Sequence, residues 1–438
     1  MSDTSTPGEE VDVIDTVVVG GGLAGLMAAV TAARQPGAGR VVLCDGHPLG
    51  GRARCNDRDG YRFNRGPRAL YIGGPAERTL QDLRVDTTAG GAPALVDAAA
   101  LDRGRLHLLP QGPGSTLRTS LFSAREKMAF AGAFVRFTRA DPSELTGRTL
   151  ARWLDESGLA GAPRRLFEGL VRVATYCHAP DLLDAGAAVA AAQAGVKPGV
   201  RYLDGGWQSL VDALSSTAVA AGVELRSEGV QAVDAPDREG DGHVVRTAAG
   251  DLRARAVVLA VGTPDAAGSL LDQRPSSWST LGPPVTAACL ELGLRQPPPR
   301  RFVLGIDEPL YLSTHAPPAR LAPEGHAVVH VMRYHGADED LPASDQQAGL
   351  RRLAASVGIG DDDIVSDRFL AKMTVSGGLP LASVGGLAGR PPVAVPARSG
   401  VFVAGDWVGP EGLLLDAVAA SATAAGQAAA RSATMATV

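Results

Sequence analysis

The strongest constraint in this chain lies near its start, where Gly20-x-Gly22-x-x-Gly25 joins the β-branched run 15–19 to a small-residue segment, 23–34. Strand patterning gives way there to helical patterning, and a second short apolar run follows at 40–44. Strand, glycine turn, helix and strand in that order make a βαβ unit, which requires a parallel sheet and a right-handed crossover. The first glycine permits the tight turn, the second lets a pyrophosphate approach the backbone, and the third lets helix and strand pack closely. The opening helical amides, at Leu23 and Ala24, then face that phosphate. Asp45, with Gly46 beside it, ends the second strand, where a carboxylate can accept both hydroxyls of an adenosine ribose. The pattern predicts a dinucleotide-binding domain of Rossmann type.

The remainder of the chain alternates around that domain. Residues 75–194 read as mostly helical, with amphipathic spans at 124–138, 150–157 and 162–173. A helix at 207–221 precedes strand candidates at 223–227, 229–233, 243–247 and 252–261. Further strands at 285–294 and 327–334, a helix at 344–357, a buried strand at 401–404 and an Ala-rich helix from about 412 to 430 complete the order. With 438 residues, two domains are expected. The predicted class is α/β. A discontinuous dinucleotide domain takes residues 1–75, 196–264 and 380–438, and a discontinuous α+β substrate domain takes 76–195 and 265–379.

Three further motifs extend the first. Gly50-Gly51-Arg52-Ala53-Arg54 follows Asp45 closely, and Tyr61-Arg62-Phe63-Asn64-Arg65-Gly66-Pro67-Arg68-Ala69-Leu70-Tyr71 follows it in turn. Near the other end stand Val401-Phe402-Val403-Ala404-Gly405-Asp406-Trp407 and Gly412-Leu413-Leu414-Leu415-Asp416-Ala417, with Ser421 beyond. In this order the motifs resemble the flavin amine oxidase and phytoene desaturase superfamily. The resemblance implies bound FAD, with Gly51 and Arg52 along the pyrophosphate and Gly66, Pro67 and Arg68 against the isoalloxazine. It further implies Val230 beside the adenine, Gly405 and Asp406 at the ribityl chain or pyrophosphate, and Leu414, Leu415 and Ala417 opening a helix toward the pyrimidine edge of the flavin. A helix N-terminus there stabilises negative charge that gathers on reduction. Arg54, Arg58 and Arg62 read equally well as a basic surface loop.

The activity implied is hydride removal from a small organic molecule, with the cofactor supplying the hard chemistry in a dry pocket. Candidate residues on the substrate side are Arg68, Tyr71, Tyr176, His178, His326, His330 and Lys372. Lys372 resembles, loosely, the lysine that many amine oxidases place near the flavin to assist oxygen. No cysteine precedes the last motif where covalently flavinylated relatives carry one, so the FAD is expected to be noncovalent. The substrate region is short beside carotenoid desaturases and has no obvious membrane-docking apolar helix, which favours a modest-sized, partly apolar metabolite, oxidised at a C–N or C–C bond. An isoprenoid desaturase at a membrane surface, identifiable by a wide apolar tunnel opening on an apolar patch, and a non-catalytic flavoprotein are the alternatives. Oxygen or another carrier would reoxidise the cofactor, and an oligomer is compatible with the sequence.

Composition removes other classes. A net charge of −5 and a pI near 5.9 give no overall electrostatic footprint for nucleic acid, whose affinity rests on clustered Lys and Arg. Four cysteines without CxxC spacing suggest neither a disulfide framework nor a metal site. No run of apolar residues is long enough to span a membrane, and residues 1–10 lack a secretory pattern. A cytoplasmic location is expected.

Overall fold

A computed structural model describes residues 13–236 and 242–435. The expected βαβ unit is present: strand Val13–Val19, helix Leu23–Ala33 and strand Val41–Cys44, with the two strands parallel. They lie inside a seven-stranded sheet ordered Glu224–Arg226, Val41–Cys44, Val13–Val19, Gly250–Leu259, His243–Thr247, Val230–Asp234. Val401–Val403 adds to Gly250–Leu259 in parallel, so a strand from late in the chain completes a sheet begun at Val13. His243–Thr247 pairs antiparallel with both its neighbours, and the other pairs are parallel; buried Val, Leu and Ala fill both faces, as parallel strands covered on two sides require.

The helix Leu414–Met435 packs across Leu23–Ala33 and covers that sheet. Small residues make the close approach possible: a Cβ on Gly426 would meet the Ala28 carbonyl oxygen at 2.4 Å. Alanines 422, 425 and 429 continue the same buried face.

A second seven-stranded sheet is ordered Ile364–Ser376, Val285–Leu294, Ala327–Tyr334, Leu310–Ala316, Phe302–Gly305, Ala99–Asp102, Arg105–Leu108. The last two strands are an unexpected exception within 75–194, which is otherwise mostly helical as read. A hairpin forms there because Arg103 and Gly104 both take positive φ in a two-residue turn, and it docks in parallel on Phe302–Gly305. The helices Ala124–Arg139 and Gly161–Thr175 cover one face of this sheet, with Phe130, Phe137 and Phe167 packed against one another. Ala343–Ser356 covers the other face. A three-stranded ribbon, Leu70–Tyr71, Val200–Leu203 and Gly90–Gly91, runs between the two sheets.

Candidate active site

The two N-terminal glycine turns are joined through backbone. The Gly50 N–H donates to the Gly21 carbonyl at 2.7 Å, and Gly22 and Gly50 form a parallel bridge. The three glycines of the first turn have distinct tasks. Gly20 has φ +101, and its Cβ would fall 2.6 Å from the Ala260 oxygen. A Cβ on Gly25 would come within 1.8 Å of the Gly20 oxygen, which is the close helix–strand packing expected. Gly22 meets nothing within 4 Å, so its face is open. The helix that starts at Leu23 has no side-chain cap and no acid in its first turn. Its orphan amides therefore suit an anion approaching over Gly22. Asp45 is oriented by the same turn: Oδ2 accepts from Gly21 N–H at 2.6 Å and Oδ1 from His47 N–H at 2.8 Å.

The distant motif closes on this cradle. Arg52 Nη1 lies 2.8 Å from the buried Asp406 carboxylate and also donates to the Val375 carbonyl at 3.0 Å. Asp406 accepts a second bond from Gly377 N–H at 2.8 Å. Arg52 and Asp406, each expected along a dinucleotide, thus neutralise one another while lining the same space. Ser421 accepts from Gly405 N–H at 3.0 Å. Arg390, which no motif marks, is buried and donates to the carbonyls of Asp406 and Gly412; burial pulls its pKa down to about 10. Asp416 turns away from the cavity and accepts from Ala76 N–H at 2.9 Å, capping the next helix.

One cavity of about 1260 Å³ connects these parts, above the range of a pocket holding a single drug-sized ligand. At the cradle end it is lined by Gly20, Gly22, Leu23, Ala24, Asp45, Gly51, Arg52, Gly405, Asp406, Leu414 and Leu415. Pro67, Arg68 and Tyr176 line its middle. Gly25, Gly46, Gly66, Val230 and Ala417 do not line it, and each has a structural reason. Gly25 and Ala417 are buried in helix packing. Gly46 packs against Gly229, whose Cα would lie 3.0 Å from an added Cβ, and Val230 pairs with Thr247 beyond that contact. Gly66 lies behind the wall, donating its N–H to the buried Glu291 carboxylate at 2.8 Å.

Beyond the cradle the walls become aromatic. Five of the six tyrosines, Tyr71, Tyr176, Tyr202, Tyr311 and Tyr334, line the cavity, in a chain only 4% aromatic. Tyr176 donates to the Pro67 carbonyl at 2.8 Å and Tyr71 to the Ala174 carbonyl at 3.2 Å. Burial holds both phenols well above the ordinary tyrosine value, so they remain neutral donors. Arg68 stacks on Trp207 at 5.1 Å and donates to the Arg52 carbonyl. His315, stacked at 3.7 Å on Tyr202, is buried with both ring nitrogens unpartnered, and burial drives its pKa well down. Behind it His330 lies 3.3 Å from Glu291.

Two expected catalytic residues fall elsewhere. His178 lies outside the lining because the left-handed turn at Tyr176, φ +59, sends Tyr176 inward and carries the chain away. Burial pulls the His178 pKa down to about 4. Lys372 is exposed. Between the pairs Ala287–Met373 and Cys289–Leu370 the lysine's strand sets two residues against one, a bulge that breaks the inward alternation. His326 bonds Tyr61 at 2.6 Å, outside the lining. The sequence reading missed Tyr202, Tyr311, Tyr334 and His315; the alternation Tyr311, Ser313, His315 along one strand was the available signal.

A family model for an NAD(P)-binding Rossmann-like domain matches residues 18–84. The coproporphyrinogen III oxidase of Propionibacterium freudenreichii subsp. freudenreichii is 32% identical over 127 residues, 28% of this chain; the match spans about a quarter, 23%, of that protein's length. Solved structures align over nearly the whole chain. A protein of Exiguobacterium sp. 255-15, provisionally assigned as a protoporphyrinogen oxidase, matches with TM-score 0.72 at 20% identity, covering 95% of this chain and 98% of its own. Cyclohexylamine oxidase from Brevibacterium oxydans IH-35A gives TM-score 0.64 at 18% identity, covering 96% and 99%. The chain shares its overall fold with these solved oxidoreductase structures. Within that fold, residues 18–84 carry the Rossmann signature, and the cavity lies between it and the second sheet.

Proposed function

We propose that the chain is an FAD-dependent oxidoreductase that removes a hydride from an apolar substrate. The observation that carries this reading is the single cavity that joins an uncapped helix, two glycine turns and the Arg52–Asp406 pair to an aromatic compartment. The cradle suits a dinucleotide: an open face at Gly22 for the pyrophosphate, orphan amides at Leu23 and Ala24, and Asp45 held ready for ribose hydroxyls. The cofactor domain is then residues 1–75, 196–264 and 380–438, and the substrate domain 76–195 and 265–379. None of the four cysteines lines the cavity, which supports noncovalent binding.

FAD, when bound, supplies the two-electron acceptor. The protein contributes position and dryness. Glu291 fixes Gly66, Tyr176 fixes Pro67, and Arg68 is wedged between Trp207 and the Arg52 carbonyl, so this wall has little freedom and would give a flavin ring a rigid support. Tyr176 and Tyr71 spend their only hydroxyl protons on backbone carbonyls and offer acceptors alone, while the unpartnered ring of His315 supplies one donor and one acceptor on the substrate side.

The cavity also bears on substrate class. Its only lining carboxylates are Asp45 and Asp406, both at the cradle, and the latter is already paired with Arg52. An ammonium substrate would find no counterion in the aromatic compartment. The outer walls are Phe130, Phe134, Phe137, Phe167 and Leu170. An elongated apolar molecule such as an isoprenoid, or one with a carboxylate facing Arg68, fits these walls better than the modest-sized amine.

The test is to purify the protein, record its visible spectrum and follow anaerobic bleaching with polyenes, porphyrinogens and amines. Bleaching by an apolar substrate and none by amines is the expected result. Preferential bleaching by amines overturns the substrate class, and a colourless protein that takes up no added FAD overturns the whole reading.

A further inference from the structure

Exposed apolar side chains are concentrated in one place on this molecule. Eleven large hydrophobic residues are exposed among the described residues. Five of them, Leu95, Leu117, Met128, Val135 and Val196, line the cavity, and Val96 adjoins them at 82% exposure. Leu117 and Met128 are 72% and 73% exposed. The aromatic compartment therefore opens through an apolar rim made by Pro113–Arg118, Ala124–Arg139 and the end of Ala185–Val196.

The helix Ala124–Arg139 is built for a boundary. Phe130, Ala133 and Phe137 form its buried stripe. Met128 and Val135, seven residues apart, lie on the opposite stripe with Ala124, Ala131 and Gly132. Arg125 and Arg136 flank that outer stripe on one side, and Lys127 lies on the other with its Nζ on the Leu117 carbonyl. A helix facing only water places charges along the whole of its outer face; here the stripe is apolar from Ala124 to Val135, Arg125, Arg136 and Lys127 flank it, and Arg139 ends it at the last residue of the helix.

Charge selects the occupant. Residues 117–139 hold five cations, Arg118, Arg125, Lys127, Arg136 and Arg139, and one carboxylate, Glu126, which is occupied by Ser123 N–H and Oγ. The whole chain carries −5, so this face is basic against an acidic background. A second copy would set these cations against themselves. A protein lid would close the opening, whereas the acyl region of a bilayer continues its apolar walls outward.

We infer that this rim is a docking surface for an anionic lipid bilayer, with Leu117, Met128 and Val135 dipping into the acyl boundary and the flanking arginines on lipid phosphates. The inference deepens the proposed function, since it rests on the cavity being the substrate passage and makes the bilayer the source of the apolar substrate. It also revises the expectation that no helix of the substrate region would dock on a membrane: the motif is amphipathic rather than continuously apolar. No described helix is long and apolar enough to cross a membrane.

The test is co-sedimentation of the full chain with vesicles of phosphatidylcholine alone and of phosphatidylcholine mixed equally with phosphatidylglycerol. Binding to the anionic vesicles should exceed binding to the neutral ones by about tenfold or more and weaken in high salt. The double variant Met128→Asp/Val135→Asp should lose at least about tenfold of that binding with its melting midpoint and any flavin absorbance unchanged. Arg125→Glu/Arg136→Glu should lose the anionic preference. Absence of sedimentation with either vesicle, or full binding by the Met128→Asp/Val135→Asp protein, overturns the inference. A self-association abolished by Met128→Asp, without vesicle binding, also overturns it and marks the face as an interface between copies. A yellow protein that ignores vesicles defeats the docking surface alone, and a colourless one that binds them defeats the flavin reading alone.

Discussion

The two ends of the cavity are made of different material. At the cradle the walls are backbone: Gly20, Gly22 and Gly51 leave main-chain atoms bare, Arg52 is cancelled by Asp406, and Asp45 is held by backbone amides. At the aromatic end the walls are side chains contributed by Gly161–Thr175, Val200–Leu203, Leu310–Ala316 and Ala327–Tyr334, elements far apart in the chain. The cradle is specified by what is missing, a Cβ, and the compartment by what is present. Backbone recognition tolerates almost no substitution, while side-chain walls can be recut for another substrate on the same frame.

The sharpest way to break that contrast is inside one glycine turn. Gly25→Ala drives a Cβ into the Gly20 oxygen and should destabilise the fold by about 1–3 kcal/mol, read by urea unfolding. Gly22→Val, whose side chain has open space, should fold normally yet weaken FAD by roughly two orders of magnitude in equilibrium dialysis. Equal FAD retention in wild type and Gly22→Val would show that no phosphate passes there.

Arg52→Ala should come next. It leaves the Asp406 carboxylate, 3% exposed, without its cation. Loss of a fully buried partner costs about 3–5 kcal/mol; because the Arg52 side chain is 36% exposed, solvent screening reduces the expected loss to about 1–2 kcal/mol. An unchanged urea midpoint would mean the two ends of the chain are held by packing alone.

The substrate side has its own pH signature. His178 and His315 fold as neutral rings, their pKa values lowered by burial, to about 4 for His178. The unfolded chain binds their protons below about pH 6.5, so their contribution is full above that pH and is lost as pH falls toward the folded values. His178→Gln should flatten the fall in urea midpoint between about pH 6.5 and 4. A parallel curve for wild type and variant would place the loss elsewhere. The smallest effect belongs to Lys372→Ala, within about 0.5 kcal/mol of wild type and without change in substrate turnover. A large drop in turnover would bring the lysine back to the chemistry.

The same contrast explains what could be read beforehand. Gly20, Gly22, Gly25, Asp45, Gly51 and Asp406 stand at spacings fixed by local turns, so strand, turn and helix were legible there. Tyr311, His315 and Tyr334 stand on neighbouring strands of the second sheet and meet Tyr202 on the three-stranded ribbon, a contact between residues more than a hundred positions apart that local turns do not encode. Lys372 misled because a bulge shifts its strand, and His178 because one left-handed residue, Tyr176, turns the chain. The hairpin Ala99–Asp102 with Arg105–Leu108 was hidden by its brevity inside a helix-rich stretch.

The Arg52–Asp406 contact carries a lesson about biosynthesis. A ribosome releases the arginine early and the aspartate only after almost everything between them has emerged. Until then Arg52 lacks its counter-charge and the helix Leu23–Ala33 lacks the covering helix Leu414–Met435. The cradle is therefore completed late in synthesis, and a nascent chain stalled before Asp406 carries an unfinished site.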